Sequence, residues 1–266
     1  MRLALDHITA VDCSPVELVQ TARSVDCDGV CLFLAGMDVL PLMPRFDLCA
    51  DRSARREVRA ALADCAIAFD VAYPFTLTGR SDVAAFAPAI ECAAELGAGV
   101  LNVLIYDRDA DRRVDILAQF GELAGSYGLR AGVEFYPPSQ VGSLHDALAL
   151  VDAAGPASTI GLNVDLLHLM RSGGTLAELA KAPADRIIYG QLCDGPLLAP
   201  HDPEFEASAE RMLPGDGGFD LPGFVAALPP DCPLSIEIPR NHAIHAGVSR
   251  LERATAAVQA VRAALP

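Results

Sequence analysis

Two hundred and sixty-six residues carry 20 basic and 35 acidic side chains, a net charge of −15, with 52% hydrophobic and 21% charged residues. That length and apolar content suit a packed domain and exclude a disordered chain, and the acidic excess argues against a protein that grips a phosphate backbone, which needs clustered Lys and Arg. Lys181 is the only lysine, so Schiff-base chemistry, which needs an amine of tunable pKa, would rest on that residue alone.

From the amino end, Met1–Gln20 contains Asp6, Asp12 and Glu17 and no apolar run of signal length, and no later run reaches the about 18 apolar residues of a membrane span. A cytoplasmic protein without membrane or nucleic-acid partners is expected. Eight cysteines, at 13, 27, 31, 49, 65, 92, 193 and 232, form no CxxC pair and read as free buried thiols.

Short apolar or β-branched runs predict strands at 3–8, 29–34, 67–73, 100–106, 131–136, 160–166, 187–193 and 234–238. Helical spacing falls between them at 15–25, 53–65, 82–96, 112–127 and 144–154, and again at 248–265. Ser14-Pro15, Ser53 and Ser81-Asp82 supply caps or first turns, and Gly97 and Gly128 stand where helices stop. Strand–helix alternation without a linker predicts parallel strands with right-handed crossovers. Eight such units make a single-domain (β/α)8 TIM barrel over 1–266, α/β in class. The rival, a doubly wound open sheet, wants a Gly-rich first turn, and "DHITAVDCSP" has none.

In a barrel the chemistry sits at the carboxyl ends of the strands. Four successive strands end on an oxygen-bearing side chain in an apolar run: Glu134 in "GVEFYP", Asp165 (with His168) in "GLNVDLLHL", Gln191 (with Asp194) in "IIYGQLCDG" and Glu237 (with Arg240) in "LSIEIPR". Any one of them reads as an ordinary hydrogen-bonded barrel residue. Three buried carboxylates converging on one mouth need a cation. The oxygen-rich set Glu134, Asp165, Gln191 and Glu237 suits one divalent metal ion, Mn2+ or Mg2+, with Co2+ or Zn2+ as alternatives.

With those residues in place the chain resembles the sugar phosphate isomerase/epimerase superfamily, the xylose isomerase-like TIM barrels. The Asp165-x-x-His168 pair and Arg211 ahead of "PGDGGFDL" (214–221) carry the resemblance further. It implies the four metal ligands just named. Gln at position 191 is similar to hydroxypyruvate isomerase-like and 3-dehydroshikimate dehydratase-like members, where many epimerases have His. The implied reaction is isomerisation or epimerisation of a small hydroxy-keto sugar or sugar acid through an enediolate, with Glu134 and Glu237 as opposed bases and His168 as a further acid–base group. The alternative is a dehydratase, a lyase in which the same enolate expels a hydroxyl. More distant readings are a non-catalytic binding protein and a DNA-repair nuclease, the latter opposed by the charge.

Arg211 and Arg240 are candidates to hold an anionic group in a guanidinium fork. His7 and Tyr73 are candidates to touch substrate from the first and third strands. "PGDGG" has glycine enough for a phosphate cradle, but Asp216 should repel phosphate. The expected partner is a small molecule, anionic or neutral, with hydroxy-ketones and carboxylic acids favoured over sugar phosphates. The long loops 36–51 and 197–211 should border the pocket, and a homodimer is left open.

Overall fold

Alternating apolar runs and capped helical stretches close into one barrel in the computed structural model, which describes residues 2–265. The strands are β1 (Leu3–Asp6), β2 (Gly29–Phe33), β3 (Ala68–Leu77), β4 (Val100–Ile105), β5 (Arg130–Glu134), β6 (Ile160–Asp165), β7 (Ile187–Leu192) and β8 (Leu234–Ile236). Each pairs in parallel with its successor, and β8 returns to β1 with Leu3 opposite Leu234 and Leu5 opposite Ile236. Closure leaves no sheet edge to protect.

Helix starts are set by short polar side chains that take up orphan amides. Ser14 and Glu17 form a capping box with Pro15 in the first turn. Asp51 caps the helix Arg52–Cys65, which starts one residue before the expected Ser53, because the Asp51 carboxylate reaches two amides, Ser53 N and Ala54 N. Gly97 adopts φ +88, where a side chain would be strained, and so ends its helix.

Two elements depart from expectation for reasons that involve proline. The stretch 82–96 splits into a 3-10 turn (Val83–Phe86) and a helix (Ala87–Leu96), since Pro88 has no N–H to continue a regular ladder from 82. β3 continues past Tyr73 to Leu77, with a register shift against β4 between Ala72 and Phe75 absorbing Pro74. The loop 197–211 contains a short helix, Pro203–Ala209.

The interior is packed from an apolar floor to a polar mouth. Val71, Val100, Ile188 and Tyr189 fill the lower layer. Gly161 allows this, because a Cβ there would sit 2.5 Å from Ile188 Cγ2. Beneath, Arg2 donates to Asp70, whose Oδ2 also accepts from the Tyr189 hydroxyl at 3.1 Å, sealing the amino-terminal end. A larger apolar layer joins the outer strand faces to the helices. All eight cysteines are free and five are buried. Lys181 is exposed ahead of β7, away from the mouth, which closes the Schiff-base route by position as well as number. Among the described residues no helix is long and apolar enough to cross a membrane.

Candidate metal centre at the barrel mouth

A cavity of about 240 Å3 opens at the carboxyl ends of the strands, with Glu134, His168, Arg211 and Glu237 on its polar side. Phe33, Met37, Leu40, Tyr73, Leu104 and Tyr136 form much of the remainder, so the rest of the lining is largely apolar. Both long loops border it, through Met37 to Leu40 and through Ala207 to Arg211.

Local structure explains the Asp-x-x-His spacing. Asp165 ends β6 and caps the following helix, its Oδ1 accepting from the His168 amide at 3.2 Å. That turn brings His168 Nε2 to 3.3 Å from Glu134 Oε1, and Tyr136 packs edge-on against the imidazole at 4.9 Å. Glu134 Oε2 accepts from Asn102 Nδ2 at 2.5 Å.

Arg211 organises the opposite half. It is buried, with Nη1 donating to Asp165 Oδ2 at 2.7 Å and Nη2 to Glu237 Oε1 at 3.0 Å. Nη1 and Nε further donate to the Glu237 and Ala207 carbonyls. One cation thus serves two carboxylates, and they respond oppositely. Burial would raise Asp165, but Arg211 and His168 hold it below the ordinary carboxylate range. Burial pushes Glu237 well up, with Asp6, Asp165 and Glu134 adding to Arg211's failure to offset it.

An amide belt links the two halves. Gln191 Nε2 donates to Glu237 and, at 3.0 Å, to the Tyr73 hydroxyl, while its Oε1 accepts from Asn163 Nδ2 at 2.6 Å. Asn163 Nδ2 also donates to Asn102 Oδ1 at 2.8 Å. Asn102, Asn163 and Asp6 are absent from the sequence-level site; their one signal is a polar residue on an inward position of an apolar strand.

The cluster fits a divalent cation. Ligating atoms of Glu134, Asp165 and His168 lie within 4.8 Å of one another, and four buried acids, Asp6, Glu134, Asp165 and Glu237, face the single guanidinium of Arg211. Such an excess of buried negative charge is costly without a further cation. Of the four ligands expected from sequence, Glu134 and Asp165 stand in this cluster with His168. Gln191 and Glu237 stand beside them on Arg211's side, with the Gln191 amide nitrogen turned toward Glu237.

Three expectations need correction. Arg211 is not free to fork onto substrate, because all three of its nitrogens are engaged by the protein. Arg240 lies outside the mouth, 3.4 Å from His242 Nε2, in a neighbouring surface cavity of about 500 Å3. His7 opens a 3-10 turn (His7–Ala10) and does not face the cavity. Its Nδ1 accepts from Phe33 N at 3.3 Å and its Nε2 faces the Cys13 carbonyl at 3.1 Å, which makes it the neutral Nε2–H tautomer with no atom left for substrate. Tyr73 does line the cavity, while Cys193 is buried with its thiol pushed up, no nucleophile.

Burial lowers the His7 pKa from 6.5 to about 4. Between those values the unfolded chain binds a proton that the native state does not, so stability falls as pH drops from 6.5 toward 4. The shift corresponds to about 3 kcal/mol. His7→Gln should flatten the pH dependence of urea unfolding by about that amount across the window, whatever its effect at neutral pH. Parallel curves for variant and wild type would refute the assignment.

Asp194 fills the glycine turn. Its carboxylate accepts from the amides of Gly195, Gly215, Gly217 and Phe219 at 2.7 to 3.0 Å. Gly217 is obligatory, since a Cβ would lie 2.3 Å from Asp194 Oδ1. The amides a phosphate would need are therefore taken by Asp194, not merely screened by Asp216. Asp194→Ala should cost about 2–3 kcal/mol in equilibrium unfolding; a loss below about 0.5 kcal/mol would mean that the turn is held otherwise.

Comparison with known proteins agrees with this architecture. The profile of the xylose isomerase-like TIM barrel family matches residues 19–264. A 3-dehydroshikimate dehydratase of Pseudomonas aeruginosa is 37% identical over 128 residues, 47% of this chain and 20% of that protein. An inosose isomerase of Halalkalibacterium halodurans is 27% identical over 117 residues, 43% of this chain and 40% of that protein. The chain thus matches two fifths or less of the length of these curated relatives. Among solved structures, the IolI protein with a bound zinc atom superposes with a TM-score of 0.75 at 19% identity, covering 99% of this chain and 96% of that one, a likeness of fold. The chain belongs to the xylose isomerase-like TIM barrel family.

Proposed function

We propose that the barrel mouth is the active site of a divalent-metal-dependent isomerase that enolises an uncharged hydroxyketone on a six-membered ring and returns the proton to the neighbouring carbon. The observation that carries this reading is the convergence of two acids for an ion, Glu134 and Asp165, with the imidazole of His168 beside them, all within 4.8 Å, next to a cavity whose one lining cation, Arg211, is already engaged. A substrate carboxylate or phosphate would find no free guanidinium there. The name inosose denotes an uncharged ketone on a six-carbon ring with adjacent hydroxyls, whereas dehydroshikimate shares the ring ketone but carries a carboxylate; a ring suits a lining that includes Phe33, Leu104 and Tyr136.

Glu134 and Asp165, with Gln191 and Glu237 behind them, would hold the ion, Mn2+ or Mg2+, which when bound polarises a carbonyl and stabilises enolate charge. His168 is the base: its Nε2 faces the cavity beside Glu134, and the Asp165 cap fixes its turn. Glu237, tied to Arg211 and Gln191, is poorly placed to act as a second, opposed base. That favours a proton shuttled on one face, hence a carbonyl shift over epimerisation.

Dehydration of the same enolate is the second reading, favoured by the higher identity to the dehydratase. Mass spectrometry separates the two. With inosose in D2O and Mn2+, an isomer of unchanged skeleton carrying solvent deuterium is expected, lost on chelation and restored by Mn2+. A product lighter by one water from 3-dehydroshikimate would install the lyase reading, and absence of both products and of deuterium wash-in would overturn both.

A further inference from the structure

A second cavity, of about 420 Å3, lies on the outside of the barrel between the helices Arg52–Cys65 and Ala87–Leu96. The first of these turns Arg52, Arg55, Arg56 and Arg59 toward it, at the spacing of one helix face. Four of the 20 basic residues of a chain with net charge −15 thus share one cleft. Among the described residues only Arg55 of the four forms an ion pair, with Glu95 at 2.6 Å. Its other nitrogens donate to the Leu48 and Cys49 carbonyls at 3.0 and 2.9 Å. Arg55 therefore holds the fold together, while Arg52, Arg56 and Arg59 stand exposed. Like charges at this spacing repel one another, a cost that a bound anion removes.

The same cleft contains a thiol. Cys49, half-buried near the end of the loop 36–51, lines it beside Arg55. Cys92, buried on the facing helix, donates its S–H to the Cys49 sulfur. The charged and titratable groups around this pair are Asp47, Arg55 and Glu95. The hydrogen bond from Cys92 holds Cys49 below the ordinary thiol range, against burial and the Asp47 charge and with help from Arg55. Burial instead pushes the thiols of Cys13, Cys27 and Cys232 up to about 12. Thiolate is the nucleophile of sulfur chemistry, and this one faces an approach lined with positive charge.

We infer that the cleft is a thiol–disulfide exchange site for small anionic disulfides, in which Arg52, Arg56 and Arg59 hold carboxylates, Cys49 attacks and Cys92 closes an internal disulfide. A peptide disulfide whose carboxylates outnumber its amines fits the lining, since guanidinium groups take carboxylates and Glu91, across the cleft, suits an ammonium. The Cys49 thiolate attacks one sulfur of the ligand, whose S–S bond breaks, and the departing half leaves as a thiolate that takes up the proton Cys49 gave to solvent. The hydrogen bond that chiefly raised Cys92 is lost once the Cys49 sulfur is in the mixed disulfide. Cys92 then gives up its proton and attacks the Cys49 sulfur, and the second half of the ligand leaves as a thiol. Two protein thiols are oxidised to one disulfide, and the ligand is reduced to two thiols. None of these groups lines the barrel mouth, so the inference stands apart from the isomerase reading.

Peptide-mapped mass spectrometry of the reduced protein tests it with three probes. Glutathione disulfide has carboxylates in excess, cystamine has only amines, and hydroxyethyl disulfide is neutral. Each rate is divided by that of the same probe with a short peptide carrying one cysteine, which removes the probe's own reactivity. So normalised, Cys49 should react at least about tenfold faster with glutathione disulfide than with cystamine, and the advantage should shrink as salt is added. In Arg52→Gln/Arg56→Gln/Arg59→Gln, all exposed positions, the ratio should fall to within about threefold of unity, with the rate for the neutral probe within about twofold of wild type. The mapped wild-type product should be a Cys49–Cys92 disulfide, and Cys92→Ala should stop at the mixed disulfide on Cys49. Equal normalised rates for the two charged probes, or a preference that survives the triple variant, would overturn the anion site. Faster reaction at the half-buried Cys65 or Cys232 would overturn Cys49 as the nucleophile. A mixed disulfide that persists in wild type would overturn the closing step, and this arm decides the role of Cys92 even if Cys92→Ala does not fold.

Discussion

Glu134→Gln is expected to lower turnover by about three orders of magnitude while the barrel stays folded. Glu134 performs two tasks from one carboxylate. One oxygen faces His168 Nε2 at 3.3 Å, and the other is fixed by Asn102 at 2.5 Å. The charge therefore supports an imidazolium as His168 takes a proton, and it supplies one of the acids that make the site attractive to a divalent ion. Glutamine keeps the volume and can still meet Asn102, so the loss should appear in kcat and in Mn2+ affinity and not in the unfolding midpoint. Deuterium wash-in separates causes: it should fall with turnover, because the carbon acid itself is no longer deprotonated. Glu134→Gln with turnover within about tenfold of wild type would remove Glu134 from the chemistry.

The barrel and the acids at its mouth were legible in sequence because both rest on short-range signals. Alternating apolar runs and capped helices need only neighbouring residues, and a carboxylate such as Glu134 or Asp165 stands out inside an apolar strand, where burial is costly without a reason. Boundaries moved where proline intervened, at Pro88 and Pro74, since a missing N–H can either stop an element or be absorbed by a register shift. Long-range geometry was not legible. His7 reads as a strand-end residue, but the 3-10 turn after β1 points it at the Phe33 amide and the Cys13 carbonyl. Arg211 reads as a free anion clamp; only the path of the segment after β7 shows that it closes on Asp165 and Glu237. Asn102 and Asn163 carry no charge to draw attention, and their importance comes from being bonded to each other and to Glu134 and Gln191.

Arg211→Met should therefore act on stability before it acts on substrate. Methionine replaces much of the aliphatic stem but removes the one cation shared by two buried carboxylates, and an uncompensated buried charge costs about 3–5 kcal/mol. Asp165 is held below its ordinary range and contributes stability that is present at neutral pH and lost as pH falls through its folded value. Without Arg211 that contribution disappears, so the gap between variant and wild type should be widest near neutral pH and narrow toward acid, where both carboxyls are protonated in either protein. Two rescues follow from the same electrostatics. Mn2+ should recover part of the loss, because a divalent ion answers the same charges. Glu237→Gln in the Arg211→Met background should recover part as well, since it removes one of the two orphaned acids, so the double-mutant cycle shows a coupling of about 1–3 kcal/mol. A strictly additive cycle, or a single variant within about 0.5 kcal/mol of wild type at every pH, would show that the carboxylates are held apart by something other than this guanidinium. A sulfate or phosphate that restored Arg211→Met would be harder still to accommodate: it adds negative charge to the site, and the arrangement of Asp165, Arg211 and Glu237 has no place for more.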